Sequence, residues 1–310
     1  MKISGFSFVR NAIRLYYPVV EAIQSILPIC DEFIIACGDS DDGTTERIRA
    51  IGSPKLRIIE TVWDSQYFVR GVINAQQTNL ALAQCTGDWC FYLQADEVVH
   101  ERFLPGLVEK MQRYLNDPEV EGFLFDYKHF YADYDHYQVG RNWYRHEIRI
   151  LRNGIGIQSW RSAQSFRKQG RKLRVVRADA EIYHYGWVRP PRQMTEKQIA
   201  LASVHKDPEW VRKHYPEPTA EYDFGKLKSR VRFTGTHPHV MQERIAQMNW
   251  KVAPSRSSKH KHDRLSTRIL AFLENHLFHV RFGEYKNYIL LDREGRNYPN
   301  LQRRRGRPLC

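Results

Sequence analysis

Long apolar runs are missing from this chain. No stretch of its 310 residues approaches the roughly 18 apolar residues of a membrane-spanning helix, so no transmembrane helix is expected. The sequence enters a strand pattern at once, without the charged, apolar and small-residue regions of a secretory leader. Cysteine is scarce. The five residues Cys30, Cys37, Cys85, Cys90 and Cys310 show no metal-ligand spacing and leave an odd one unpaired. Cys37 and Cys90 fall in apolar strand patterns and read as reduced core residues, so the expected compartment is the cytoplasm. Acidic residues are outnumbered, 35 against 48 Lys and Arg, for a net charge of +13. That excess suits an anionic partner such as a nucleotide diphosphate, acidic lipid or nucleic acid, or simply a basic enzyme surface. Outside Arg303–Arg307 the basic residues are spread rather than clustered, so no nucleic-acid partner is expected.

What is present is a core and a regular alternation. Apolar residues make up 42% of the chain. Strand patterns at Ile3–Val9, Glu32–Cys37, Leu56–Ile59 and Trp89–Leu93 alternate with helical patterns at Tyr17–Leu27, Thr44–Ile51 and Asn74–Gln84. This order implies βαβ units and a mostly parallel sheet flanked by helices. A further amphipathic helix carries Phe103, Leu107, Met111 and Tyr114. Beyond it, Gly122–Tyr127, Arg145–Leu151 and Glu181–Tyr185 read as strands, with a small antiparallel piece. From Pro190 the chain turns polar and helical. Ser255–Asp263 reads as an exposed linker, Leu265–Leu277 as an amphipathic helix, and Arg303–Arg307 as a basic tail. The expected division is a domain over residues 1–190 and a mainly helical extension over 191–310.

Two acidic loops follow two of the strands. One is Gly38-Asp39-Ser40-Asp41-Asp42-Gly43-Thr44; the other holds Asp96 and Glu97. In open α/β sheets ligands gather outside the carboxyl ends of strands. Carboxylates there suit Mg²⁺ or Mn²⁺, which takes few protein ligands and completes its shell with phosphate and water. Asp41 and Asp42 also suit the start of a helix, where they would cap free N–H groups. A second cluster, Ile182–Pro191, contains His184 and Arg189; Arg189 and Lys197 are either phosphate contacts or ordinary surface charges. The stretch Phe130–Tyr137 with Trp143 and Tyr144 has the Tyr, His and Asp density of a sugar-binding surface.

The strand order, the two acidic loops and the sequence Leu93-Gln94-Ala95-Asp96-Glu97 resemble the GT-A glycosyltransferases of the family-2 type over roughly residues 1–190. Members of that family usually show Asp-Asp-Gly-Ser-Thr-Asp-Gly-Thr and Leu-Asp-Ala-Asp-Asp/Glu. The resemblance implies transfer of a sugar from a nucleotide-diphosphate sugar, a UDP-sugar for preference, to a glycan or lipid-linked acceptor, inverting the anomeric centre with Mn²⁺ or Mg²⁺. It places Phe8, Arg10, Asn11, Asp39, Asn79, Gln94 and Arg189 at the nucleotide sugar, and Asp96 and His184 on the metal. Asp96 is also expected to be catalytic. Gln94 stands where the family has the first Asp of its metal motif and brings no charge. Gln164 stands where the family often has an acid, and Gln is no base at neutral pH. Glu147, Asp126 and Asp179 remain as general-base candidates; Glu147 is the choice, although Arg145 or Arg149 could claim it as an ion-pair partner.

Three other readings are open. A sugar-nucleotide-binding relative without turnover would explain the two amides. A sugar nucleotidyltransferase would need a Gly-rich phosphate loop, yet residues 1–15 hold only Gly5. A nucleic-acid-binding protein would need clustered basic and aromatic residues. The amphipathic helix and basic tail would also allow peripheral contact with the inner face of a membrane.

Overall fold

Strands and helices alternate through the first third of the chain, in a computed structural model that describes residues 1–217, 219–255, 260–277 and 283–293. The order is β1 (Ile3–Val9), α1 (Val19–Ile26), β2 (Glu32–Cys37), α2 (Thr44–Arg49), β3 (Leu56–Glu60), α3 (Val72–Leu82), β4 (Trp89–Tyr92), β5 (Glu97–Val99) and α4 (Leu104–Arg113). Then come β6 (Gly122–Tyr131), β7 (His136–Gln138), β8 (His146–Arg152), β9 (Ile157–Trp160), β10 (Ser165–Lys168) and β11 (Arg171–Trp187). The remainder is α5 (Pro191–Ser203), α6 (Pro208–His214), β12 (Arg230–Arg232), α7 (Gln242–Ala246), α8 (Leu265–Phe272) and β13 (Tyr288–Leu290). This is the α/β class expected.

The sheet runs β3-β2-β1-β4-β8-β6-β11-β10-β9. Its first four strands are parallel, so their carboxyl ends share one edge. β8 then runs antiparallel to both β4 and β6. The parallel part is covered on both faces, which explains its nearly unbroken apolar runs. Phe33, Ile35 and Phe91 face one core with Ile23, Leu107 and Met111 from α1 and α4. Phe6, Ile34 and Tyr92 face the other with Ala81 from α3.

β11 is far longer than the Glu181–Tyr185 pattern. Arg171, Lys172, Arg174 and Arg177 hide its first half from a hydrophobicity reading. The structure uses those charges: Arg171 and Lys168 meet the fully buried Glu121 at 2.5 and 3.2 Å, and the Arg174 N–H donates to it at 3.0 Å. A bulge between Arg177 and Glu181 then re-aims the strand. The later part pairs antiparallel with β5, setting His184 opposite Glu97. Past residue 190 helices prevail, but β12 returns to β7 and β13 to β11. Of the expected linker, residues 256–259 lie outside the described residues, as does the Arg303–Arg307 tail.

Candidate active site

The ends of β1, β2 and β3 make the first half of the site. Asp39 follows β2 and accepts from Arg10 at 3.1 Å and from the Trp63 backbone N–H at 3.1 Å. The Arg10 guanidinium lies 5.6 Å from the Trp63 ring, and Phe8 packs 6.1 Å from the same ring. Asn11 takes a left-handed φ of 54°, and its N–H donates to Ser40 at 2.9 Å. Phe8, Arg10, Asn11 and Asp39 are thus brought together. The sequence pattern does not single out Trp63; its position just beyond the end of β3, beside β2, is the signal that marks it. Asp42 receives the Thr44 N–H at 3.1 Å, the helix-start role open to it. Asp41 pairs in the open with Arg14 at 2.5 Å.

Asp96 follows β4 on the same edge, with β1 between the two loops. Its carbonyl accepts the Tyr185 N–H at 2.8 Å, which ties the loop to β11. The Asp96 side chain is only 9% exposed, against 40% for Asp39. The chain from Gly186 into α5 closes over it. Lys197 Nζ lies 3.2 Å from Asp96 Oδ2 and 2.6 Å from the Gly186 carbonyl. His184 Nε2 lies 3.7 Å from the same carboxylate oxygen. Arg189 is fully buried, donates to the Leu15 and Gly186 carbonyls, and rests 4.8 Å from the Tyr17 ring. Neither Arg189 nor Lys197 is a surface charge. Burial alone would raise the Asp96 carboxyl, but Lys197, His184 and Arg189 outweigh it and hold it at about 2. Burial, reinforced by Arg189, draws Lys197 down to about 8 despite Asp96. Burial likewise lowers His184 to about 4, so its imidazole is neutral at pH 7. Its Nδ1 meets His129 Nδ1 at 2.9 Å, while His129 Nε2 donates to the Tyr144 carbonyl at 2.7 Å.

Glu97 does not join Asp96. Arg149 grips it through two bonds of 2.7 Å, and the Tyr127 hydroxyl and Gln94 N–H donate to it at 2.8 and 3.1 Å. Both charged partners are completely buried. The pairing also answers the question about Arg149, whose partner is Glu97 and not Glu147. Gln94 aims its amide at the Ala163 carbonyl, 3.4 Å away. Asn79 stands apart from the loops: it lies about 10 Å along α3 from the helix start, and its side-chain carbonyl receives the Ser159 N–H at 2.8 Å. That bond fastens β9 to α3.

Glu147 lies on β8 in the wall of a cavity of about 670 Å³, together with Trp143, Tyr144, His146, Leu270 and Asn287. Its Oε2 is buried without a hydrogen-bond partner, and burial pushes its carboxyl up to about 7. The other two base candidates are engaged. Asp126 pairs with His146 at 3.0 Å and Arg177 at 3.2 Å, and Asp179 pairs with Lys110. Phe130, Tyr131 and Tyr134 are core residues, not a sugar-binding surface. Of the aromatic stretch, Trp143 and Tyr144 reach the cavity. The Tyr144 ring, 4.5 Å from His129, links the cavity to the Asp96 cluster.

TarS 1–349 of Staphylococcus aureus, solved with UDP-GlcNAc, is 18% identical, with a TM-score of 0.31 over 42% of this chain and 35% of that one. Glucosyl-3-phosphoglycerate synthase from Mycobacterium tuberculosis, solved with Mn²⁺, UDP and phosphoglyceric acid, is 22% identical, with a TM-score of 0.28 over 42% and 43% of the two chains. The chain therefore spans less than half the length of either. No curated protein matches it. The model of glycosyl transferase family 2 matches residues 17–174, more than half of the sequence, and the chain belongs to that family.

Proposed function

We propose that this protein transfers a sugar from a nucleotide-diphosphate sugar, a UDP-sugar for preference, to a hydroxyl of a glycan or lipid-linked acceptor. The observation that carries this reading is the joint placement of two groups on one sheet edge. The first is the group of Asp39, Arg10 and Trp63, which offers an aromatic face for a base and a carboxylate for base or ribose donors. The second is the Asp96, His184, Arg189 and Lys197 cluster, which suits a diphosphate. Residues 1–190 carry most of both groups, and the extension over 191–310 contributes Lys197.

In the proposed reaction the acceptor oxygen bonds to the anomeric carbon as the bond from that carbon to the diphosphate breaks. The diphosphate leaves with the electron pair. The acceptor proton passes to Glu147, whose carboxyl near 7 is matched to such a task. The direct displacement inverts the anomeric centre.

Mn²⁺ or Mg²⁺, implied by the family resemblance, finds a poor donor set. Among the described residues no group of three or more His, Cys, Asp or Glu side chains could hold a metal. Gln94 is uncharged, Glu97 is spent on Arg149, and an ammonium sits against Asp96. The residues do not fit a divalent cation.

No helix among the described residues is long and apolar enough to cross a membrane. Leu265, Ile269 and Phe272 on α8 are exposed, which supports peripheral contact with a lipid surface. Isothermal titration with UDP, GDP and dTDP, followed by transfer assays with their sugars, tests the function. Binding of one diphosphate with micromolar affinity is expected; no binding of any of them would overturn the reading.

A further inference from the structure

We propose that the Lys197 ammonium takes the place of the divalent cation, so that this protein binds its nucleotide diphosphate without a metal. The inference rests on the sugar-nucleotide reading above and concerns how that same site meets the diphosphate.

Charge is the first argument. Around Asp96 lie Lys197 and Arg189, and the neighbouring carboxylate, Glu97, is neutralised by Arg149 through two bonds. Among the described residues Asp96 is the carboxylate that acts on both Lys197 and Arg189, so the cluster is cationic before any ligand arrives. A divalent ion would add two charges beside a buried ammonium. A diphosphate would instead cancel the excess.

Geometry is the second. Lys197 is buried and held by two acceptors, Asp96 Oδ2 at 3.2 Å and the Gly186 carbonyl at 2.6 Å. Tyr17 and Trp187 flank it with ring centroids at 5.3 and 5.8 Å. An ammonium has three donors, so one remains for a phosphate oxygen. The Arg189 Nε beside it is buried with no partner. Space is the third. A Cβ on Gly186 would stand 2.5 Å from both Asp96 Oδ2 and His184 Nε2, so only a glycine at this position lets both side chains close on the strand beside Lys197.

Asp96 thus orients Lys197 rather than a metal. When the bond from the anomeric carbon to the diphosphate oxygen breaks, the electron pair stays on the diphosphate, and the fixed ammonium meets the growing charge. Such pre-set charge needs no reorganisation during the reaction.

The test is titration of the full chain with UDP, GDP and dTDP in excess EDTA and again in Mn²⁺, with Mn²⁺ EPR as a second readout. The expected result is an affinity in EDTA within threefold of that in Mn²⁺, with no Mn²⁺ signal beyond that of Mn²⁺ and nucleotide alone. Lys197→Met should weaken binding at least tenfold in both buffers. The double variant Lys197→Met with Asp96→Asn removes both buried charges and should bind as weakly. Diphosphate binding that vanishes in EDTA and returns with Mn²⁺ overturns this inference and spares the sugar-nucleotide reading. Absence of diphosphate binding in both buffers overturns that reading itself.

Discussion

The Asp39 loop and the Asp96 loop occupy the same sheet edge, yet water treats them differently. Asp39 and Asp41 meet arginines in the open, where solvent screens each pair and leaves it of little worth to stability. Asp96 and Glu97 lie under packed side chains, where every charge must be answered within the protein. The exposed loop can exchange its partners for a ligand cheaply. The buried loop fixes its groups before a ligand arrives. In the proposed function one loop therefore suits recognition, and the other suits holding charge beside the diphosphate.

Breaking the buried side of this contrast should have the largest effect. Arg149→Met strands Glu97 without its partner and should cost about 3–5 kcal/mol in urea unfolding. Replacing Glu97 by Leu in the same protein should recover much of that loss, because the pair then leaves together. Glu121 offers the same contrast far from the site. Burial would raise its carboxyl, but Arg171, Arg174 and Lys168 hold it at about 2. A depressed carboxyl contributes stability above its ordinary value near 4.5, and that contribution fades as pH falls toward 2. Wild type should therefore exceed Glu121→Gln by roughly 1–3 kcal/mol at pH 6, with the gap closing as pH falls to about 2.

At the site itself, Asp96→Asn should lower transfer at least 100-fold while shifting the unfolding midpoint less than Arg149→Met. The exposed loop should respond in the opposite sense. Asp39→Ala should weaken UDP binding about tenfold, roughly 1.4 kcal/mol, with little change in the unfolding midpoint. Arg14→Ala, which removes only the open pair with Asp41, should leave both titration and unfolding unchanged. An Asp39 variant that unfolds as readily as the Arg149 variant would erase the distinction between the loops.

Much of the fold was legible because its signals are local. The strands at 3–9 and 32–37 have the bounds that the pattern gave, since their apolar runs are short and end at turn residues. α1 begins at Val19 rather than Tyr17, with Pro18 as its cap. The first half of β11 was illegible: its arginines and lysines look solvated until Glu119, Glu121 and Asp126 arrive from elsewhere. The aromatic stretch misled for a related reason. Phe130, Tyr131 and Tyr134 carry the composition of a binding surface, but the strand and the chain beyond residue 222 enclose them.

The sequence by itself determined which residues end the parallel strands, because hydrophobic period and turn chemistry act over a few positions. It thereby placed Asp39 and Asp96 on one edge. Only the tertiary structure decided what those carboxylates face. Glu97 turns to an arginine 52 positions away and Asp96 to a lysine 101 positions away. Such pairings depend on which charges are buried together, and burial is a property of the packed chain that no local pattern encodes.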